Sequence, residues 1–525
     1  MLNVVWFKRD LRVHDHQALV NAAANGPVLP LYLFEPEYWQ QPDTSLRQWQ
    51  FIRECLLDLN QTLEQRYQMP LVFVTGDVID ILEKIHQIYG SFKLHSHEES
   101  GNIWTFERDK RVRKWCKSRT IIWQESAQQG VRRPNPTRDI WAKHWLQFMQ
   151  QPKVKAPNQL TSYPSITIEN NVSARLSPLQ TSQWPTIAGA DLTPCPERQT
   201  GGRTQAVALL KSFIKQRSEY YRGSISSPNS AEHACSRLSP YIAMGCIGMR
   251  ELVQQQKSKA PTKRWQQSLS AFESRLWWHC HFIQKLEDEP SIQWQSLHSS
   301  YSDIRDNFDP TYLQAWKDGK TGWPLVDACM RYLKHHGWLN FRMRAMLMSI
   351  ASYPLWLPWQ QSAQHLARYF TDYEPGIHYP QAQMQAGTTG INIPRMYNPT
   401  TQAETQDPEG VFIRRWIPEL ANVETPWIHQ PWLMNNAMQE KAGVTIGVDY
   451  PHPIVEFNAA IRLAKSKITE AKQEGGMSNS SYRNQSQSIA IKHGSRKPSS
   501  KATSKRQTAS KKSRVKVDKT QLSLF

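Results

Sequence analysis

Residues Trp316–Arg344, WKDGKTGWPLVDACMRYLKHHGWLNFRMR, decide how the C-terminal half of this chain folds. The stretch predicts a Gly-Lys-Thr-Gly turn at 319–322, then a helix over PLVDACMRYLKHH that stops at Gly337, and a second helix opening at Trp338. Glycine suits the left-handed residue that ends a helix. Trp316, Trp323 and Trp338 punctuate the segment, and Arg342 and Arg344 close it. Tryptophans on packed helices give a flat stacking surface for an aromatic ligand and low-energy sites for an electron hole. Arginines two apart on a helix point in different directions, so one can pair in the core while the other faces a partner.

Outward from this segment, residues 203–470 keep a helical pattern rich in Trp, Arg and His, and Gly201-Gly202 marks its start. Residues 126–200 carry many Pro, Ser, Thr and Gln, which reads as a surface connector with one short helix at Ile140–Gln150. Residues 1–125 alternate apolar strands (LNVVWF, PVLPLYLF, PLVFVTG, FKLHSH, TIIWQES) with helical patterns, one starting near Asp77. That alternation predicts a parallel α/β sheet covered on both faces. No GxGxxG follows the first strand; the turn there is Lys8-Arg9-Asp10-Leu11-Arg12, which disfavours an ordinary NAD enzyme. Beyond about residue 475 the chain becomes a Ser/Lys/Arg/Gln tail that cannot bury enough apolar surface to fold alone. The expected class is α/β: a Rossmann-like domain over 1–125, a connector over 126–200, an all-helical domain over 201–472 and a basic tail over 473–525.

A chain of 525 residues is too long for one core. Its formal net charge is +19, from 64 Lys and Arg against 45 Asp and Glu, which favours a polyanionic partner such as nucleic acid, although much of the excess sits in the tail. No apolar run is long enough to span a bilayer, and the N-terminus becomes charged at once. The seven cysteines form no CxxC pair, which argues against zinc or a dense disulfide framework and gives no sequence support for an iron–sulfur cluster. A reduced, cytoplasmic, monomeric protein without a metal is expected.

Four motifs carry a resemblance. Val4–Leu19 reads VVWFKRDLRVHDHQAL. Cys235–Gly245 reads CSRLSPYIAMG, where Ser hydroxyls and backbone N–H groups at a helix start suit a pyrophosphate. Arg344 is followed downstream by Asp372. Tyr397–Gln402 (YNPTTQ) precedes Asp407-Pro408-Glu409-Gly410, FIRRWIPEL and DYPHPIV. In this order, across about 450 residues, they resemble the photolyase/cryptochrome family of blue-light FAD proteins. The resemblance implies that FAD is held by Tyr220 (or Tyr221, one position on), Cys235, Ser236, Arg237, Leu238, Ser239, Arg344, Asp372, Tyr373, Glu374 and His378. It implies an electron relay through Trp316 and Trp359, and a lesion-facing set of Trp277, Arg342 and Gln402. The α/β domain is implied to hold an antenna chromophore of folate, deazaflavin or flavin type, with residues 97–102 (HEESGN) as the loose match for its contacts.

Departures from the family pattern matter equally. FESRLWWHCHF (272–282) stands where the family reads WxNELxWREF; Trp277 fits the dimer-packing Trp, while Ser274 replaces the dimer-binding Glu, with Glu273 beside it. Trp278 stands for the usual Arg, and Phe341 for the Asn before RMR. His378 falls where an Asn faces flavin N5, and Ala382 falls on the third Trp of the relay. The chain ends in Gln521-Leu522-Ser523-Leu524-Phe525, which resembles the peptide that docks bacterial repair proteins on the β sliding clamp, with Gln521, Leu522, Leu524 and Phe525 as its anchors. The leading expectation is light-driven repair of UV-damaged DNA by a deoxyribodipyrimidine photolyase-like enzyme. The alternative is a cryptochrome-like receptor without repair.

Overall fold

A computed structural model describes residues 1–133, 138–163, 177–179, 184–187, 191–255, 260–390 and 395–474. The anchors at Gln521–Phe525 lie outside the described residues.

The N-terminal strands are β1 (Leu2–Phe7), β2 (Val28–Phe34), β3 (Val72–Thr75), β4 (Phe92–His97) and β5 (Ile122–Ser126), all in parallel, with order β5-β4-β1-β2-β3. Every residue of β1 and β2 is buried, because helices cover both faces and leave no solvent side to alternate with. Asp77 caps the helix Val78–Tyr89 by accepting from Ile79 N–H at 2.8 Å. The connector adds a sixth, antiparallel strand, β6 (Ser177–Pro178), on the β3 edge, and its helix runs Arg138–Gln150. Sequence pattern alone does not reveal β6; two residues carry no period.

The helical domain is built around Pro324–His336, almost wholly buried and stopped by Gly337 at φ +66°. The turn before it is fixed by Asp327, whose buried carboxylate accepts from Thr321 N–H (2.8 Å), Thr321 Oγ (2.7 Å), Gly322 N–H (3.0 Å) and the Tyr450 hydroxyl (2.6 Å). The next helix opens at Phe341, not Trp338, and runs to Ser352. The reason is local: Asn340 donates to the carbonyls of Ile225 and Ser226, and the Leu339 carbonyl accepts from Arg344 Nε at 2.6 Å, so residues 338–340 stay outside the helix.

The charged turn after β1 fastens the two halves. Arg9 donates to the Ala243 and Tyr373 carbonyls (3.0 and 2.8 Å), Arg12 to the Gly245 carbonyl (2.7 Å), and Leu11 N–H to the Met244 carbonyl (3.1 Å). Gly245, at φ +62°, lies so close that a Cβ there would sit 2.2 Å from the Arg9 carbonyl oxygen. Gly376 plays the same part between Pro375–Ala386 and the long helix Lys263–Asp288, where a Cβ would meet the Ile283 Cα at 2.8 Å.

Candidate functional site

Five helical elements converge on a cavity of about 1670 Å³, counted to its open mouth. The helix Phe341–Ser352 supplies Arg342 and Arg344, the loop before Pro375–Ala386 supplies Asp372, Tyr373 and Glu374, and the start of Ser239–Ala243 supplies Cys235, Ser236, Arg237 and Ser239. Tyr221 comes from the short helix Tyr221–Ser224, and the long helix gives Arg275, Trp278, His279 and Phe282. Four arginines (237, 275, 342, 344) face it against two carboxyls (Asp372, Glu374), so the lining is cationic and suits an anionic ligand.

The centre is a two-pronged ion pair. Arg344 donates to both Asp372 oxygens, at 3.0 and 2.8 Å, and its guanidinium lies 4.0 Å from the Phe370 ring centre. The Asp372 side chain is 2 % exposed, so the pair fixes the guanidinium against the cavity wall. At the 235–239 turn, Arg237 adopts a left-handed backbone (φ +58°) and lays its guanidinium 4.1 Å from the Trp338 ring centre. Arg217 holds the turn from behind through the Cys235 and Ser236 carbonyls. Burial pushes the Cys235 thiol up to about 12, so it stays protonated. Glu374 is pushed up to about 7 by burial, against the pull of Arg9 at 3.6 Å.

His378 lines the cavity and places Nε2 2.7 Å from the Ala363 carbonyl, so Nε2 carries the hydrogen and donates. Burial lowers His378 to about 4, and lowers His95 to about 4 and His97, His279 and His365 to about 3. These rings are neutral in the fold, whereas in the unfolded chain they take up protons below about pH 6.5. Through these five rings the unfolded state binds more protons between about pH 6.5 and 4, so their contribution to stability falls as pH falls through that window. Glu35 and Glu374, which burial raises to about 7 and which take up protons in the fold, partly offset it. Each ring costs about 1.4 kcal/mol per pH unit there. Cooperative unfolding above pH 4, followed by circular dichroism, is the expected result; an unchanged melting temperature from pH 7 to 4 would refute the neutral assignment.

The sequence-derived set divides. Cys235, Ser236, Arg237, Ser239, Arg342, Arg344, Asp372, Tyr373, Glu374 and His378 all line the one cavity. Gln402 accompanies them through Arg342, Nη1 to Oε1 at 3.4 Å. Leu238 is buried in the core behind the turn. Tyr220 is a correction: it is 51 % exposed with Arg264 against its ring, and Tyr221 faces inward instead. Trp277 is a second: it packs on Trp141 (5.0 Å) and stacks on His281 (5.2 Å), and Trp278 lines the cavity. One residue is about 100° of helix. Leu269, Phe272, Leu276, Cys280 and Ile283 form the buried stripe, so 275, 278, 279 and 282 face the cavity; that apolar period was the available signal. Arg275 thus faces the cavity from this helix, while Ser274 is exposed and Glu273 half-buried.

Trp316 and Trp359 are fully buried in the helical core, their Nε1 atoms donating to the Leu347 carbonyl (3.2 Å) and Ser296 Oγ (3.1 Å). Ala382 lines the cavity and offers no ring. In the α/β domain a smaller cleft of about 500 Å³ lies beside β1 and β2, lined by Trp6, Lys8, Glu35, Tyr38, Glu99 and Arg108. Arg108 is spanned there by Glu35 (2.8 Å) and Glu99 (2.5 Å). His97 turns inward onto Asp10 at 2.8 Å, with His16 Nε2 at 3.0 Å on the same oxygen. His16 Nδ1 accepts from Leu19 N–H, so Nε2 carries the hydrogen and faces Asp10 without a well-aligned hydrogen bond.

The residues fit the expected flavin. Asn340 Oδ1, Arg342 Nε, Glu374 Oε2 and Gln381 Oε1 are buried at the cavity wall without a hydrogen-bonding partner among the described residues, and Trp338, Phe370 and Phe282 supply flat apolar surface.

The family model of the FAD binding domain of DNA photolyase matches residues 272–470, and the DNA photolyase model matches residues 3–140. A deoxyribodipyrimidine photo-lyase of Escherichia coli (strain K12) is 28 % identical over 497 residues, covering 90 % of this chain and 99 % of that protein. Cryptochrome-2 of Arabidopsis thaliana is 26 % identical over 504 residues, covering 90 % of this chain and 79 % of that one. A bacterial class III photolyase structure from Agrobacterium tumefaciens superposes with a TM-score of 0.73 at 24 % identity, covering 90 % and 98 % of the two chains.

Proposed function

Since the chain belongs to the photolyase/cryptochrome family and carries its FAD-binding domain, we propose that it is a light-driven DNA repair enzyme acting on pyrimidine dimers. Bound, reduced FAD supplies the chemistry by absorbing blue light and lending one electron to the dimer. Everything else falls to the chain. Arg344 and Asp372 would hold the isoalloxazine edge, where the Arg344 cation would favour the reduced, anionic form. The Ser236–Ser239 turn and Arg237 take the pyrophosphate. A dimer must leave the base stack to reach this depth. Trp278 gives it a stacking face, Arg342 and Gln402 give polar contacts, and Arg275 joins them from the long helix.

One observation carries the reading: a single cationic cavity is lined both by the Arg344–Asp372 pair and by Trp278, Arg275 and Arg342. The decisive test is blue-light repair of a thymine-dimer oligonucleotide by reduced, FAD-loaded protein. Repair above a dark control is expected; none, with FAD bound, favours the second reading, a cryptochrome-like photoreceptor. That reading has one specific support: the cavity-facing stripe of the long helix holds Arg275 and no carboxylate.

The C-terminal Gln521-Leu522-Ser523-Leu524-Phe525 supports docking on a β sliding clamp, with the basic tail adding salt-dependent attraction to DNA. Deleting Gln521–Phe525 should abolish clamp binding in a pull-down while FAD absorbance is retained. Clamp binding that survives the deletion refutes the docking peptide. No helix among the described residues is long and apolar enough to cross a membrane.

A further inference from the structure

Tyr373 occupies a wall of the cavity, 4 % exposed, directly after the Asp372 that holds Arg344. Its hydroxyl donates to Asp43 Oδ2 at 2.5 Å, a residue of the α/β domain just before the helix Leu46–Tyr67. Asp43 is itself buried, and the other polar side chains described on it are donors too. Asn102 Nδ2 reaches its two oxygens at 3.2 and 3.3 Å, and the Tyr379 hydroxyl approaches at 3.4 Å. An acid surrounded by donors is present as the carboxylate. Burial nevertheless raises Asp43 above its usual value, which makes it a better base than a surface aspartate. Burial also raises the Tyr373 phenol well above its ordinary value, so at rest the proton stays on the phenol.

A phenol that loses one electron becomes a strong acid. It is readily oxidised only where a base stands within hydrogen-bond reach, because the electron and the proton then leave together. Tyr373 meets that condition. Of the other rings on the wall, Trp338 has the Arg237 guanidinium 4.1 Å from its centre, and a cation against its face opposes removal of an electron. Trp278, packed among Trp277, His281 and Phe282, is the competing ring, and isotope labelling of tryptophan tests it. Ala382 offers no ring, and Trp316 and Trp359 lie in the core behind the lining.

We propose that Tyr373, with Asp43 as its proton acceptor, is the donor that reduces the light-excited flavin in this chain. Tyr373 gives one electron to the excited isoalloxazine and its phenolic proton to Asp43, leaving a neutral phenoxyl radical and a protonated Asp43. An external thiolate then returns one electron to the radical, Asp43 returns the proton, and the thiolate becomes a thiyl radical. Tyr379, whose ring centre lies 6.3 Å from that of Tyr373 and whose hydroxyl shares Asp43, is the next aromatic on the same carboxylate. The proposal rests on the flavin reading of the cavity.

The test is electron paramagnetic resonance of the FAD-loaded full-length protein, illuminated and frozen. A tyrosyl signal is expected that narrows when the protein is grown on ring-deuterated tyrosine. The signal should persist in Tyr379→Phe and vanish in Tyr373→Phe, and its rate of formation should fall about 100-fold in Asp43→Asn. A tryptophanyl signal that narrows on ring-deuterated tryptophan, or a tyrosyl signal retained in Tyr373→Phe, overturns it. Should Tyr373→Phe fail to fold, the isotope label in the unmutated protein and the Tyr379→Phe variant decide between the two rings. Flavin uptake, read separately from its absorbance, divides the failures. Flavin bound without a tyrosyl signal defeats only the role of Tyr373, and no flavin uptake at all takes the cavity reading down with it.

Discussion

Arg344→Met is expected to abolish FAD retention and to destabilise the fold by about 3 kcal/mol, near the lower end for breaking a buried pair. The Asp372 side chain is 2 % exposed, and the Arg344 fork engages both of its oxygens. Removing the cation leaves that carboxylate buried and uncompensated. The low end applies because the Arg344 side chain is 25 % exposed and water can partly replace it. Flavin loss follows from the same change, since the only arginine bound to Asp372 among the described residues also forms the cavity wall. Chemical denaturation and fluorescence titration with FAD measure the two effects separately. The double variant Arg344→Met, Asp372→Leu should recover most of the stability and none of the flavin affinity. A single variant that keeps wild-type affinity would remove the pair from the site altogether.

The second large effect concerns the register of the long helix. Trp278→Ala should weaken binding of a dimer-containing oligonucleotide by about 10-fold to 100-fold, the worth of one aromatic stack on a base. Trp277→Ala should instead act on stability, by up to about 3 kcal/mol, because its ring fills space against Trp141 and His281. Gel-shift titration and thermal melting of both variants separate the roles. If Trp277→Ala proves the binding-defective variant and Trp278→Ala the unstable one, the helix is rotated by one residue from the geometry described and Arg275 leaves the cavity with it.

Legibility in the sequence followed the length of the pattern. Strands such as LNVVWF and FKLHSH match β1 and β4 residue for residue, because a run buried on both faces has one physical solution. Pro324–His336 with its Gly337 stop was equally plain. The start of the next helix was not, since it turns on Asn340 and Leu339 bonding to distant backbone groups. In the cavity, motif residues at 235–239, 342–344 and 372–378 converge, while Tyr220 and Trp277 miss by one position each. Both misses occur in aromatic doublets, Tyr220-Tyr221 and Trp277-Trp278, where composition is the same either way and only the angle around the helix differs.

The order of motifs and the periods of its strands and helices were enough to determine the two-part architecture, the family and a set of residues most of which line one cavity. Tertiary structure alone decided which face of the long helix meets the cavity and that Arg9, Arg12 and Gly245 join the halves. It also decided that Asp43, 330 residues from Tyr373, receives the Tyr373 hydroxyl. The reason is range: periodicity records what a residue does within its own element, whereas hydrogen bonds between distant elements leave no trace in local order and exist only once the chain has packed.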